Sequence, residues 1–159
     1  MTSFKPFAAI IAFVSIMASP TMALAEDLLS ITKADVKIEL TEEDVAKLPQ
    51  TSFETSTIWT EGKIEFSGPT LKSVLALADI TEGEVTLTAI NDYAVKIDVA
   101  DITDIAPIIA NLMNGETFSR REKGPYWVVF PYDSDAKYQQ EEIYAVSIWQ
   151  LTSIEETLD

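Results

Sequence analysis

Val36, Ile38 and Leu40 alternate with charged residues, so this stretch reads as a strand buried on one face. Thr41-Glu-Glu-Asp44 has the form of a helix start. A threonine cap is followed three places on by an acid, near the positive end of the helix dipole. Val45 and Leu48 would face the core, and Pro49 stops the turn. Residues 50–60 are rich in threonine and carry Phe53, Ile58 and Trp59, which predicts a strand. Glu61-Gly62 turns it back along Lys63 to Phe66. Ser67-Gly-Pro-Thr70 opens a helix whose Leu71, Val74, Leu75 and Ala78 fall on one face.

Farther along, Val85 to Ile90 predicts a strand, Asn91-Asp92 a tight turn, and Tyr93, Val95, Ile97 and Val99 the returning arm. A short helix is expected over 101–106. Pro107 limits it, and residues 108–113 read as a strand running into an Asn114-Gly115 turn. The unbroken apolar run from Tyr126 to Phe130 predicts a strand buried on both faces. A polar loop without glycine spans 133–142. Ile143 to Leu151 then gives a short helix or turn before a last strand near 153–155. The expected fold class is α+β, with mixed short-stranded sheets and two or three short helices.

The first 25 residues stand apart from this pattern. Lys5 is their one charge, Phe7 to Met17 is an apolar run, and Pro20 precedes Ala23-Leu24-Ala25. This is the form of a secretory signal peptide cleaved before Glu26, and the run is shorter than the ~20 residues a membrane span needs. The expectation is therefore a periplasmic or secreted protein, not membrane-embedded after cleavage, with residues 26–159 as a single domain.

The sequence has 26 acidic and 11 basic residues, a formal net charge of −15, and neither histidine nor cysteine. Loss of Lys5 with the leader leaves the remainder more acidic still. This charge excludes nucleic acid as a partner. The missing residue types exclude disulfides, thiolate nucleophiles, lipidation at cysteine and every histidine-based triad. Nucleotide-binding and serine-hydrolase motifs are also lacking.

Two stretches carry a resemblance. The first is Phe66-Ser-Gly-Pro-Thr-Leu-Lys-Ser-Val-Leu75 with the Ala-Ile-Asn-Asp-Tyr hairpin at 89–93. The second is Asn114-Gly115, Lys123-Gly-Pro-Tyr-Trp-Val-Val-Phe-Pro131 and Ser147-Ile-Trp-Gln-Leu151. In this order they resemble small exported proteins of the oxidoreductase molybdopterin-binding domain superfamily, the sulfite-oxidase fold, over roughly residues 40–155. The resemblance implies a mixed α+β domain. In the family's enzymes a cysteine thiolate before the G-x-x-L helix binds molybdenum. The corresponding segment, Phe53 to Trp59, holds Thr55, Ser56 and Thr57 instead, and a hydroxyl does not replace a soft thiolate directly. The family lysine of a K-W-L-like segment is also missing, because Ser147-Ile148-Trp149 stands there. No cofactor is therefore expected. A molybdopterin oxidoreductase with an oxygen ligand from Thr55, Ser56 or Thr57 is the alternative.

Arg120, Arg121 and Lys123 form a positive island beside Tyr126 and Trp127. It reads either as an anion site or as a solvated loop paired with Glu116 and Glu122. Trp59, Trp127, Tyr132 and Trp149 either line a pocket or are core; Trp127 in an apolar run and Trp149 beside Ile148 read as core, while Trp59 and Tyr132 border turns and stay candidates for both. Asn91-Asp92-Tyr93 is either a pocket mouth or an ordinary hairpin turn. Asp133, Asp135, Glu141 and Glu142 offer either a hard-cation site or a solvated loop. The expected function is a non-catalytic binding or sensor-accessory domain. It would take a small anionic ligand, or a periplasmic sensor or redox protein, with Arg120, Arg121, Lys123, Trp59, Tyr126 and Tyr132 as the ligand-binding set.

Overall fold

The computed structural model describes residues 27–157. The predicted leader lies outside the described residues. Along the chain run β1 (Leu29–Lys33), β2 (Val36–Leu40), α1 (Glu42–Lys47), β3 (Thr51–Ser56), β4 (Lys63–Gly68) and α2 (Leu71–Ala76). Next come β5 (Glu84–Ala89), β6 (Ala94–Asp98), β7 (Ile108–Ala110), β8 (Leu112–Met113) and β9 (Trp127–Val129). The chain closes with α3 (Glu141–Val146) and β10 (Leu151–Glu156). The fold is α+β, as expected: among the described residues, short strands form three sheets with three short helices.

The largest sheet has the order β2-β1-β10-β5-β6. β1 and β10 are parallel, and the other neighbours are antiparallel. Its register lines up one aliphatic row across all five strands: Ile38, Ile31, Ile154, Leu87 and Val95. The three central members are fully buried, while Ile38 and Val95 at the edges are partly covered. Cross-strand pairs of this kind hold a register, because a slip of one residue would turn the whole row to the other face.

β3, β4 and β8 form the second sheet, and β7 pairs with β9 in the third. The two meet at Gly68, where a side chain would run into the carbonyl of Ile109. Backbone bonds from Ile109 N–H to Pro69 O (2.8 Å), Leu71 N–H to Pro107 O (2.8 Å) and Asn111 N–H to Ser67 O (3.0 Å) close the junction. Thr70 caps α2 by accepting from Ser73 N–H, and α2 buries Leu71, Val74 and Leu75 as its periodicity predicts.

Three expectations need correction. No α-helix forms over 101–106. Thr103 Oγ1 accepts from Ala106 N–H at 3.0 Å while Thr103 N–H donates to Ala106 O, so a side-chain-closed turn replaces it, after a 3-10 turn at Val99–Asp101. Residues 108–113 are not one strand, because the chain passes from the third sheet to the second at Asn111. Trp149 is not core: it is 37% exposed, although Ile148 beside it is buried. One strand, β1, has no counterpart in the sequence expectation.

Candidate functional site

The end of β3 leads into a side-chain-bonded turn. Thr57 Oγ1 accepts from Trp59 N–H at 3.0 Å and lies 2.8 Å from Thr60 Oγ1. This turn delivers the Trp59 indole into the middle of a ring cluster. Trp59 meets Trp127 (5.9 Å between centroids), Tyr132 (6.2 Å), Tyr144 (5.8 Å) and Trp149 (5.8 Å), all edge-to-face. Phe66 on β4 supports Trp127 from below at 5.4 Å. Edge-to-face contacts match the positive rim of one ring to the negative face of the next, so the cluster is stiff as well as apolar.

Ser147, between α3 and β10, satisfies the polar tips of these rings. Its carbonyl accepts from Trp127 Nε1 at 3.1 Å, and its hydroxyl accepts from Tyr132 Oη at 2.8 Å and donates to Ile143 O at 2.6 Å. Burial pushes the Tyr132 hydroxyl up to about 12, against a smaller opposing effect of the Ser147 bond. Tyr132 is thus a neutral structural donor.

Lys123 approaches the cluster from the outside. Its ammonium lies 5.7 Å from the Trp127 centroid and 5.5 Å from that of Trp149. The backbone there is left-handed, with φ of 78°, a conformation that favours glycine. Gly124 follows, packed against the Phe118 carbonyl so closely that no Cβ fits. Seven bases ion-pair with carboxylates: Lys33, Lys37, Lys47, Lys63, Lys72, Lys96 and Arg120. Among the described residues Arg121, Lys123 and Lys137 have no such pair.

Two cavities flank Trp59. One, of about 380 Å³, is bounded by Trp59, Asn91, Tyr93, Tyr144 and Trp149. The other, of about 310 Å³, is bounded by Ser56, Thr57, Tyr132, Asp133 and Tyr144. Asp133 accepts from Ser56 Oγ at 2.6 Å and Ser56 N–H at 2.8 Å, and these bonds hold its carboxyl below the usual range. Thr55 is fully buried, and its hydroxyl accepts from Asp133 N–H at 3.1 Å.

The predicted ligand set is only partly gathered here. Trp59 and Tyr132 share the cluster, and Lys123 caps it. Arg120 turns away to ion-pair with Asp27, rather than with Glu116 or Glu122. Glu122 closes its own turn by accepting from Ser119 N–H and Oγ. Arg121 is exposed, and Tyr126 is buried in the wall of a different groove. Trp149, weighed as a pocket wall but read as core, enters the site, and so does Tyr144, which the sequence did not single out. Asn91 and Tyr93 stand at the cavity mouth. Asp135 caps a 3-10 turn by accepting from Lys137 N–H, and Glu141 and Glu142 lie in the first turn of α3. No group of three or more metal-ligating side chains occurs among the described residues. No helix there is long and apolar enough to cross a membrane.

No protein-family model matches the chain. No curated protein matches it either. Among solved structures, the sulfane dehydrogenase SoxCD from Paracoccus pantotrophus is similar in fold, with a TM-score of 0.62 and 16% identity over 84% of this chain. This chain covers 39% of the SoxCD chain it matches, so the likeness is to one part of a larger protein.

Proposed function

We propose that this chain is an exported, non-catalytic binding domain on a scaffold related to the molybdopterin-binding oxidoreductases, and that the cleft around Trp59 holds a small anionic ligand with a flat apolar face. The observation that carries the reading is the Lys123 ammonium. It has no carboxylate partner among the described residues, in a chain rich in acids, and a left-handed backbone holds it over two indoles. Aromatic walls supply the apolar contact area, and Lys123, which stands over Trp127 and Trp149 rather than on either cavity wall, supplies positive charge beside them, an arrangement suited to an aromatic or conjugated carboxylate. The fold likeness to a sulfane dehydrogenase supports the redox-enzyme scaffold, and the leader-like first 25 residues support export to the periplasm.

The residues at the expected cofactor position do not fit molybdopterin. The sequence has no cysteine to supply a thiolate. The Thr55 hydroxyl is buried against Asp133 N–H, and the Ser56 hydroxyl is spent on the Asp133 carboxylate. Trp59 then fills the space beyond the strand. A periplasmic sensor or redox protein as the partner is the second reading. It is favoured by Ile90, Tyr93 and Trp149, which are 42%, 52% and 37% exposed near the cavity rim.

All three tryptophans belong to the cluster, so their fluorescence reports on the cleft directly. Titration with benzoate and nicotinate should quench it saturably, and benzamide and nicotinamide should bind at least about tenfold more weakly, a difference of ~1.4 kcal/mol. Lys123→Met should abolish the preference for the acids. Equal binding of acids and amides, or an unchanged preference in Lys123→Met, would remove Lys123 from the site.

A further inference from the structure

The largest sheet ends on one side in β2, and no other strand meets its outer edge among the described residues. At the opposite side, β6 has α3 packed against it. A two-residue loop, Ala34-Asp35, joins β1 to β2, so its closing pair, Lys33 and Val36, is hydrogen-bonded. Bonded and non-bonded pairs alternate from there. Val36, Ile38 and Leu40 turn their N–H and C=O groups to β1, and Lys37 and Glu39 turn theirs outward. Among the described residues nothing bonds to these outward groups.

The side chains on this edge supply an independent observation. Lys37 and Glu39 stand on the face opposite to the aliphatic row, both are more than half exposed, and they pair with each other at 2.8 Å. Their order is symmetric about Ile38: turned end for end, the strand places a lysine where the first copy has a glutamate. Ile38 itself is only partly covered, and Val36, on the same face, is 59% exposed. Charged side chains commonly keep an edge from pairing. In this order they select a partner instead. A parallel, in-register copy would set lysine against lysine and glutamate against glutamate, whereas an antiparallel one sets unlike charges opposite each other.

We propose that β2 is the docking edge for a second copy of this chain, paired antiparallel about a two-fold axis at Ile38. Lys37 then stands opposite Glu39 of the second copy, and the two exchange both N–H···O bonds through the groups that point outward. Ile38 meets Ile38 of the second copy, and Val36 meets Leu40, as the closely spaced non-bonded pairs. The aliphatic row of Ile38, Ile31, Ile154, Leu87 and Val95 thus runs on through the axis into the other copy. A two-fold contact of this kind uses up the edge in both copies, so association stops at the dimer. The strand pair covers less surface than the ~1,600 Å² of a standard interface, so the dimer is reversible, with a dissociation constant of about 10–100 µM.

Sedimentation velocity of the purified protein at about 5–500 µM, in about 0.15 M NaCl to screen the repulsion between two acidic molecules, tests this. A monomer–dimer equilibrium is expected. Lys37→Glu and Glu39→Lys should each weaken it by about tenfold or more, because like charges then face each other. An equimolar mixture of those two variants should form a heterodimer, and Lys37→Glu/Glu39→Lys in one chain should restore the homodimer. Both positions are exposed, and circular dichroism checks that the variants fold. A monomer throughout this range, a dimer insensitive to either single variant, or a mixture that does not associate would each overturn the proposal.

Discussion

Gly68 and Gly124 are glycines for a reason that has nothing to do with a ligand. At each, the place of a Cβ is taken by the carbonyl of another strand or loop: Ile109 for Gly68 and Phe118 for Gly124. Gly62, by contrast, has φ of 68° and open space around it. Gly68→Ala and Gly124→Ala should therefore cost about 2–4 kcal/mol in urea unfolding, because backbone must move, whereas Gly62→Ala should cost only about 1 kcal/mol of left-handed strain. Both tight glycines belong to the stretches that carry the family resemblance, so those motifs record how the backbone crosses itself. The sequence showed Gly68 only as part of a turn opening α2; the crossing itself rests on Ile109 and Phe118, which no local pattern ties to these glycines. The exposure of Trp149 was not legible either. Gln150 takes a left-handed turn (φ 55°), so Ile148 points in and Trp149 out, and no local apolar pattern encodes that choice. Lys123 was legible as a cation, but its two ring partners lie on β9 and before β10.

Among the elements, α1 was the most readable because its signals are local. Thr41 Oγ1 accepts from Asp44 N–H at 3.1 Å, and the Asp44 carboxylate accepts from Thr41 N–H at 3.1 Å. Thr41→Ala should cost about 1 kcal/mol, measured by chemical denaturation at neutral pH. The Thr41 bonds hold the Asp44 carboxyl below its usual range, so the wild-type cap is fully formed above pH 4 and is lost as pH falls through the lowered value. The difference between Thr41→Ala and wild type should therefore shrink on acidification. β1 shows the opposite case. Leu29 and Ile31 alternate with Ser30 and Thr32, but the segment is short, and its parallel partner β10 comes at the far end of the sequence with no turn to announce the pairing. The division of residues 108–113 between two sheets was hidden for the same reason: it depends on Gly68 passing beneath Ile109.

For the molecule as a whole, the excess of acids sets the response to salt and pH. With no histidine or cysteine, no side chain has an ordinary titration between the carboxylates and the tyrosines and lysines. Thermal stability should be nearly flat from about pH 6 to 9 and should rise from ~10 to ~200 mM NaCl as self-repulsion is screened. Below about pH 4 it should fall. Asp44, Asp104, Glu122 and Asp133 all have lowered pKa values, and the stability they contribute, present above their unfolded values, disappears as they protonate. On the alkaline side the raised Tyr132 value means a contribution intact below pH 10 and lost on the way to about 12. Melting curves followed by circular dichroism across this range check both limbs. A stability maximum near pH 4, or a step near pH 7, would contradict the scheme.

The strand order β2-β1-β10-β5-β6 has a consequence for how the protein is made. Its middle member, β10, is made after the other nine strands of the described residues. Until then the β1–β2 and β5–β6 hairpins have nothing between them, and isolated hairpins are marginal in water. A nascent chain of this topology cannot close its largest sheet until synthesis reaches β10, so that sheet forms only once both ends of its strand set are made.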